Sequence, residues 1–223
     1  MLNSASKYEH LYVPQAKFLG VTIDQYLRWQ QHLEVLQAKL SRAIFGIRSL
    51  RAISDEKTAL LAYYGMFHSL ISYGTLIWGN GTHVNDIFIL QKKAIRSIYK
   101  LSSRTSCRPF FKKSNVMTVP SIYIYELLKF VKQNREQFCR NDNIHNHNTR
   151  QKLNLHTPRF LLKVSQNDIY HKGARMYNVL PPKIRDLPFQ RFKHIVKLNL
   201  VKSCFYNIED YLVGGFGCGE GKP

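Results

Sequence analysis

The stretch Lys17-Phe18-Leu19-Gly20-Val21-Thr22-Ile23-Asp24, running on through Leu27-Arg28-Trp29-Gln30-Gln31-His32-Leu33, decides how the chain is read. Phe18, Leu19, Val21 and Ile23 make a β-rich run interrupted by Gly20, and a glycine inside such a run marks a bulge or a close backbone approach. From Arg28 the apolar spacing changes from about two to about 3.6 residues, aligning Trp29, Leu33, Leu36, Leu40, Ile44, Ile47 and Leu50. The stretch is a strand that feeds a long amphipathic helix. Upstream, Leu11-Tyr12-Val13 is a second short β run, set off by Pro14-Gln15-Ala16-Lys17. Residues 1–26 are therefore expected to hold a small hairpin, which needs further structure to lie on because two strands alone are marginal in water.

Helices are expected from there on. The first spans about Arg28–Leu50. A second begins at Ser54-Asp55-Glu56, where Ser54 is placed to cap free amides and the acids suit the positive helix end. It carries Leu60, Leu61, Tyr64, Phe67, Leu70 and Ile71, and Gly79-Asn80-Gly81 is a turn signal. The third, about Val84–Leu101, sets Ile87, Leu90, Ala94, Ile95, Ile98 and Leu101 on one side. Lys92, Lys93, Arg96 and Lys100 fall on the other, and the basic spacing continues through Arg104, Arg108 and Lys112, with Lys113 beside it. Pro109 ends the helical pattern, with a loop to about Thr118, and a fourth helix runs from Pro120 to about Arg140. Past Asn141-Asp142-Asn143 the chain turns polar and Asn-rich. A short helix is expected over Asn167–Val179 and a basic amphipathic one over Phe189–Tyr206.

The expected fold class is mainly α: a helical bundle with a small N-terminal β-hairpin and an extended and helical C-terminal region. The segments are a hairpin over 1–26, a helical domain over 27–140, a basic region over 141–212 and a Gly-rich tail over 213–223, expected to be disordered.

Charge narrows the function. The 223 residues carry 33 Lys and Arg against 14 Asp and Glu, a formal +19, which points to a polyanionic partner. No Asp or Glu occurs between Asp86 and Glu126. A face built for solubility mixes signs, whereas a single-sign stripe suits phosphates. No apolar run reaches the roughly 18 residues of a membrane span, so no stable membrane insertion is expected. The first residues lack a signal-peptide core, so an intracellular protein, nuclear or cytoplasmic, is expected.

Other chemistry has little support. Cys107, Cys139, Cys204 and Cys218 show no paired spacing, which argues for free thiols. His145 and His147 with Cys139 fall short of a zinc ligand set. The glycine-rich tail imitates a phosphate loop, but the pattern's first glycine would fall on Phe216, and Pro223 stands where Ser or Thr is needed. Phe110-Phe111, embedded among cations, are candidates for base stacking.

The opening stretch resembles the end of the reverse transcriptase of non-LTR (LINE-type, jockey-like) retrotransposons. Later blocks keep the family's order: Tyr63-Tyr64-Gly65-Met66-Phe67, Tyr73-Gly74-Thr75-Leu76-Ile77-Trp78-Gly79, Leu90-Gln91-Lys92-Lys93-Ala94-Ile95-Arg96, His145-Asn146-His147-Asn148-Thr149-Arg150 and Tyr177-Asn178-Val179-Leu180-Pro181. Any one block is weak; the ordered set over residues 8–212 is specific. The resemblance implies a palm-end, primer-grip-like hairpin, a helical thumb and a region beyond it. The implied partners are an RNA–DNA or DNA template–primer duplex and the upstream palm–fingers region of the same polyprotein. Lys17, Lys92, Lys93, Arg96, Lys100, Arg104, Arg108, Lys112, Lys113 and Arg150 are the nucleic-acid-binding candidates. The family polymerises on magnesium held by palm aspartates, but this chain has no Asp-Asp pair. No cofactor and no polymerisation are expected of this chain alone. Two alternatives stand beside this reading: a stand-alone, non-catalytic nucleic-acid-binding protein derived from such an element, and a basic helical module that docks on membranes or proteins through Phe189–Tyr206.

Overall fold

The computed structural model describes residues 14–144 and 150–216. The expected run at Leu11–Val13, the His145–Thr149 part of the Asn-rich block and the tail from Gly217, with Cys218, lie outside the described residues. The chain is mainly helical, with a small antiparallel hairpin at its start.

The hairpin pairs β1 (Gln15–Phe18) with β2 (Val21–Asp24). Its turn is Leu19-Gly20, both at positive φ (46° and 80°), the geometry that matches the twist of a tight hairpin. This corrects the expected layout: Gln15–Lys17 is a strand, not the connection between two. Leucine is a poor residue for a left-handed position, so the turn carried no strong signal. Val21 is buried and the Tyr73 hydroxyl donates to the Leu19 carbonyl, which holds the hairpin to the body. Phe18 and Leu19 remain 65% and 73% exposed.

Asp24 joins the hairpin to α1 (Gln30–Ile53). Its carboxylate accepts from the amides of Tyr26 (3.0 Å), Arg28 (3.1 Å) and Trp29 (2.9 Å). The slight burial of Asp24 would raise its pKa, but these amides outweigh it and hold the carboxyl below its ordinary value. His32, buried in the first turn of α1, accepts from the Thr22 amide through Nδ1 at 3.4 Å. Burial, then the Lys39 charge, lowers its pKa and keeps the ring neutral enough to accept.

After α1, α2 (Glu56–Ala62) is capped by Asp55, which accepts from Thr58, rather than by Ser54. It runs without a break through a π-helical turn (Tyr63–His68) into α3 (Ser69–Ser72), and a short α4 (Thr75–Trp78) follows. The widened turn stacks Tyr63 on Phe67, with centroids 5.3 Å apart, both fully buried. α5 (Val84–Tyr99) packs along α1. The expected loop after Pro109 is a helix, α6 (Arg108–Lys113), because proline fits a helix's first turn, where its missing N–H has no partner to lose. α7 (Val119–Gln133) is shorter than expected; it stops before Asn134 and gives way to a 3-10 turn at Arg135–Gln137.

α7 is the axis of the body. Val119–Ile124 are all buried, and α4, α9 and α11 lie against it. The C-terminal helices are α8 (Lys163–Gln166), α9 (Ile169–Asn178), α10 (Pro182–Arg185), α11 (Phe189–Ser203) and α12 (Ile208–Gly214). α9 approaches α7 so closely that a Cβ on Gly173 would sit 2.7 Å from Val131 Cγ2. One buried cluster extends from Leu33 on α1 to Tyr211 on α12.

Gln91 ties these layers together. Its fully buried amide donates to Tyr63 Oη (2.8 Å) and to the Met117 carbonyl (2.9 Å), while its oxygen accepts from the Val119 amide (2.8 Å). Gln91→Leu leaves these partners buried and unpaired, and is expected to lower stability by about 2–4 kcal/mol in urea unfolding; a loss below ~0.5 kcal/mol would show that the amide is not a clamp. Asp24→Ala is expected to speed hydrogen exchange at the Arg28 and Trp29 amides at neutral pH. Because the folded pKa is depressed, the Asp24 contribution is complete above the ordinary carboxylate value and is lost as pH falls through the lower folded value. Wild type and variant should therefore converge in exchange rate in strong acid, after correction for intrinsic rates.

Candidate nucleic-acid interface

The basic stripe read from the sequence is built from three pieces. α5 carries Lys92, Lys93 and Arg96 and stops at Lys100, which takes a left-handed conformation (φ 52°). Arg51 of α1 closes that end, its Nε donating to the Ile98 carbonyl at 2.8 Å. The chain then turns through Ser102–Ser106, bearing Arg104, and returns as α6 with Arg108, Lys112 and Lys113. The spacing of four continues in sequence but not along one helix.

The cations divide by how they are held. Lys92 lies over the Phe88 ring at 4.6 Å and the Tyr206 ring at 5.8 Å, and Arg108 covers the same Tyr206 at 4.5 Å. The Arg96 guanidinium donates to the Thr105 carbonyl at 3.3 Å, bracing the 100–107 turn. Lys113 pairs with Glu56 at 3.1 Å and lies over Tyr99 at 4.9 Å. These residues are bound into the fold, and cation–π contacts of this kind add roughly 0.5–1 kcal/mol at exposed sites. Lys93, Lys100, Arg104 and Lys112 are exposed and have no ion pair among the described residues. They are the side chains free to meet a phosphate.

Lys17 stands exposed on β1, next to the turn, and Arg150 is exposed at the start of the 150–153 turn, two elements distinct from α5 and α6. Phe110 and Phe111 are not stacking platforms: Phe111 is fully buried and Phe110 packs on Tyr99 with centroids 4.8 Å apart. The sequence reading missed Tyr206 as the ring beneath Lys92 and Arg108. It was placed at the end of the last helix, but α11 stops at Ser203 and Cys204 takes a left-handed conformation (φ 51°), which sends Tyr206 back against α5. The Phe88–Tyr206 edge contact, 4.9 Å between centroids, completes the joint.

The thiols next to this face, Cys107 and Cys204, are buried. Burial raises the Cys107 pKa against the lowering effect of Arg96 and Lys92. Burial likewise pushes Cys204 up to about 11 against Arg108 and Lys112. Both are free, as is exposed Cys139.

Among the described residues no three His, Cys, Asp or Glu side chains come together as a metal site, so the residues present do not fit the magnesium of the resembled polymerases and no step through it is assigned to this chain. No helix among the described residues is long and apolar enough to cross a membrane. The apolar side of α11, with Phe192, Val196 and Leu200, is buried in the core and is not available to lie on a membrane surface. No protein-family model matches the chain, and neither a curated protein nor a solved structure is significantly similar to it.

Proposed function

We propose that this chain is the palm end, thumb and following segment of a LINE-type reverse transcriptase, and that it grips template–primer nucleic acid without performing the chemistry. The ordered set of sequence blocks from Lys17 to Pro181 supports the family. The observation that carries the binding role is the cluster of free cations, Lys93, Lys100, Arg104 and Lys112, on a rigid mount. They neutralise phosphates and hold register without reading bases. The hairpin, with Lys17 and its exposed Phe18-Leu19 tip, steadies the primer end, and the upstream palm–fingers region covers the apolar tip. Arg150 is a further phosphate contact. Magnesium belongs to the upstream palm in this reading.

Lys93/Lys100/Lys112→Ala should flatten the salt dependence of binding to an RNA–DNA hybrid duplex by about two to three units of log–log slope, since each neutralised phosphate contributes about 0.7–0.9. An unchanged slope removes this face from the interface.

Glu56 offers a test in the opposite direction. Glu56→Gln frees Lys113 and should steepen the slope by up to about 0.9. Glu34→Gln, which makes the same change in net charge on exposed α1, should leave the slope nearly unchanged. Equal steepening in both would mean that only net charge matters.

A further inference from the structure

The far end of α7 holds a second basic feature. At about 1.5 Å per residue, α7 carries its last turn roughly 20 Å from the Thr118 end that adjoins Gln91 and the α5–α6 face. There a cavity of about 760 Å³ opens between the end of α7, the Arg135–Gln137 turn and α10. Its wall sets Lys132, Arg135, Arg140 and Arg185 against Glu136 and Asp186.

These cations are positioned rather than trailing in solvent. Arg135 donates to the Phe138 carbonyl at 3.0 Å, and Arg185 to Asn154 Oδ1 at 2.9 Å. Lys132 Nζ donates to the Arg185 carbonyl at 2.5 Å, and Tyr177 Oη donates to that same carbonyl at 3.2 Å. Arg140 pairs with Asp142 through a terminal nitrogen. The Nε atoms of Arg140 and Arg185 are both buried and have no hydrogen-bond partner. Asp142 pairs with Arg140 through Oδ2, while its Oδ1 is buried and unpaired. Unmade bonds of this kind to charged donors are costly and rare in native interiors. Burial first, and then the charges of Arg140 and Arg185, hold the Arg135 pKa below its ordinary value, against the opposing pull of Tyr177 and Asp142. The wall sets four cations against Glu136, Asp186 and the paired Asp142, which leaves one positive charge in excess.

We infer that this cavity is a phosphate-binding site, in which a tetrahedral oxyanion sits among Arg135, Arg140 and Arg185, with Lys132 adding charge at the rim. Guanidinium forks match phosphate oxygens in pairs, and three of them line this one cavity. The phosphate is either a free or terminal monoester or an internal phosphodiester of a strand. The site does not rest on the template–primer reading.

Calorimetric titration of the full chain with inorganic phosphate at low ionic strength tests this. The expected result is saturable binding, weakened about tenfold or more in Arg135→Gln/Arg140→Gln and unchanged in Lys39→Gln/Lys57→Gln, which removes the same charge from exposed positions elsewhere. A short oligonucleotide with and without a 5′-phosphate separates the sources. Competition with inorganic phosphate by the phosphorylated form alone supports a terminal-phosphate site, and equal competition by both supports a phosphodiester site. Absence of saturable phosphate binding, or an equal loss in the lysine variant, overturns the inference. Should the arginine variant fold poorly, the wild-type Arg135 Nε–H resonance decides: it shifts saturably with phosphate if the site exists, and an unmoved signal overturns it.

Discussion

The buried amide of Gln91 is the constraint on which the rest of the body depends. One side chain holds the π turn at Tyr63, the Met117 carbonyl and the first amide of α7. A glutamine in a dry core is tolerable only when its donors and acceptor are matched, so each partner fixes the others. The rotation of α5 about its axis follows. With Gln91, Ile95 and Ile98 turned inward, Lys93 must project outward. The widened turn at Tyr63–His68 meets the same amide. Its wider backbone stacks Tyr63 on Phe67 while the Tyr63 hydroxyl reaches Gln91.

The helices whose apolar period is sustained were legible in the sequence: α1, α5, α9 and α11 lie within a few residues of where periodicity places them. What failed was punctuation. Pro109 reads as a breaker, yet it occupies the first turn of α6, where a proline does no harm. Asp55 rather than Ser54 caps α2, because adjacent polar residues compete for one cap and sequence alone does not choose. The hairpin turn fell at Leu19-Gly20 because Gly20 supplied one positive φ and Leu19 accepted the other. The cation candidates on α5 and α6 were legible as residue types but not as a set, since helical spacing says nothing about which charges the fold itself uses. Lys92 and Arg108 share Tyr206, a ring more than ninety residues away in sequence that no local pattern could supply.

That division has a physical consequence for how the face works. A cation seated on an aromatic ring keeps its charge and contributes to the long-range field, so it attracts a polyanion without needing to touch it. A cation free in solvent forms the close contact that releases counterions. In the proposed interface the bound set stiffens the mount and the free set makes the contacts. Arg96 illustrates the first role, since its charge lies on the face while its guanidinium braces the turn that carries Arg104.

α7 relates the two basic features. Nearly every residue from Val119 to Leu128 is buried, and the Glu126–Lys129 ion pair at 2.8 Å is a polar strip along the remaining side. At the N-terminal end the Thr118 hydroxyl caps the helix and also donates to the Phe205 carbonyl at 2.5 Å, tying α7 to the connection that brings Tyr206 under Lys92. At the C-terminal end Lys132 reaches the Arg185 carbonyl, tying α7 to α10. The first tie seats a ring under Lys92 of α5, and the second fixes Lys132 in the last turn of α7. A largely buried helix thus has a basic feature at each end, and α9 reaches it so closely at Gly173 that a Cβ there would not fit without a shift.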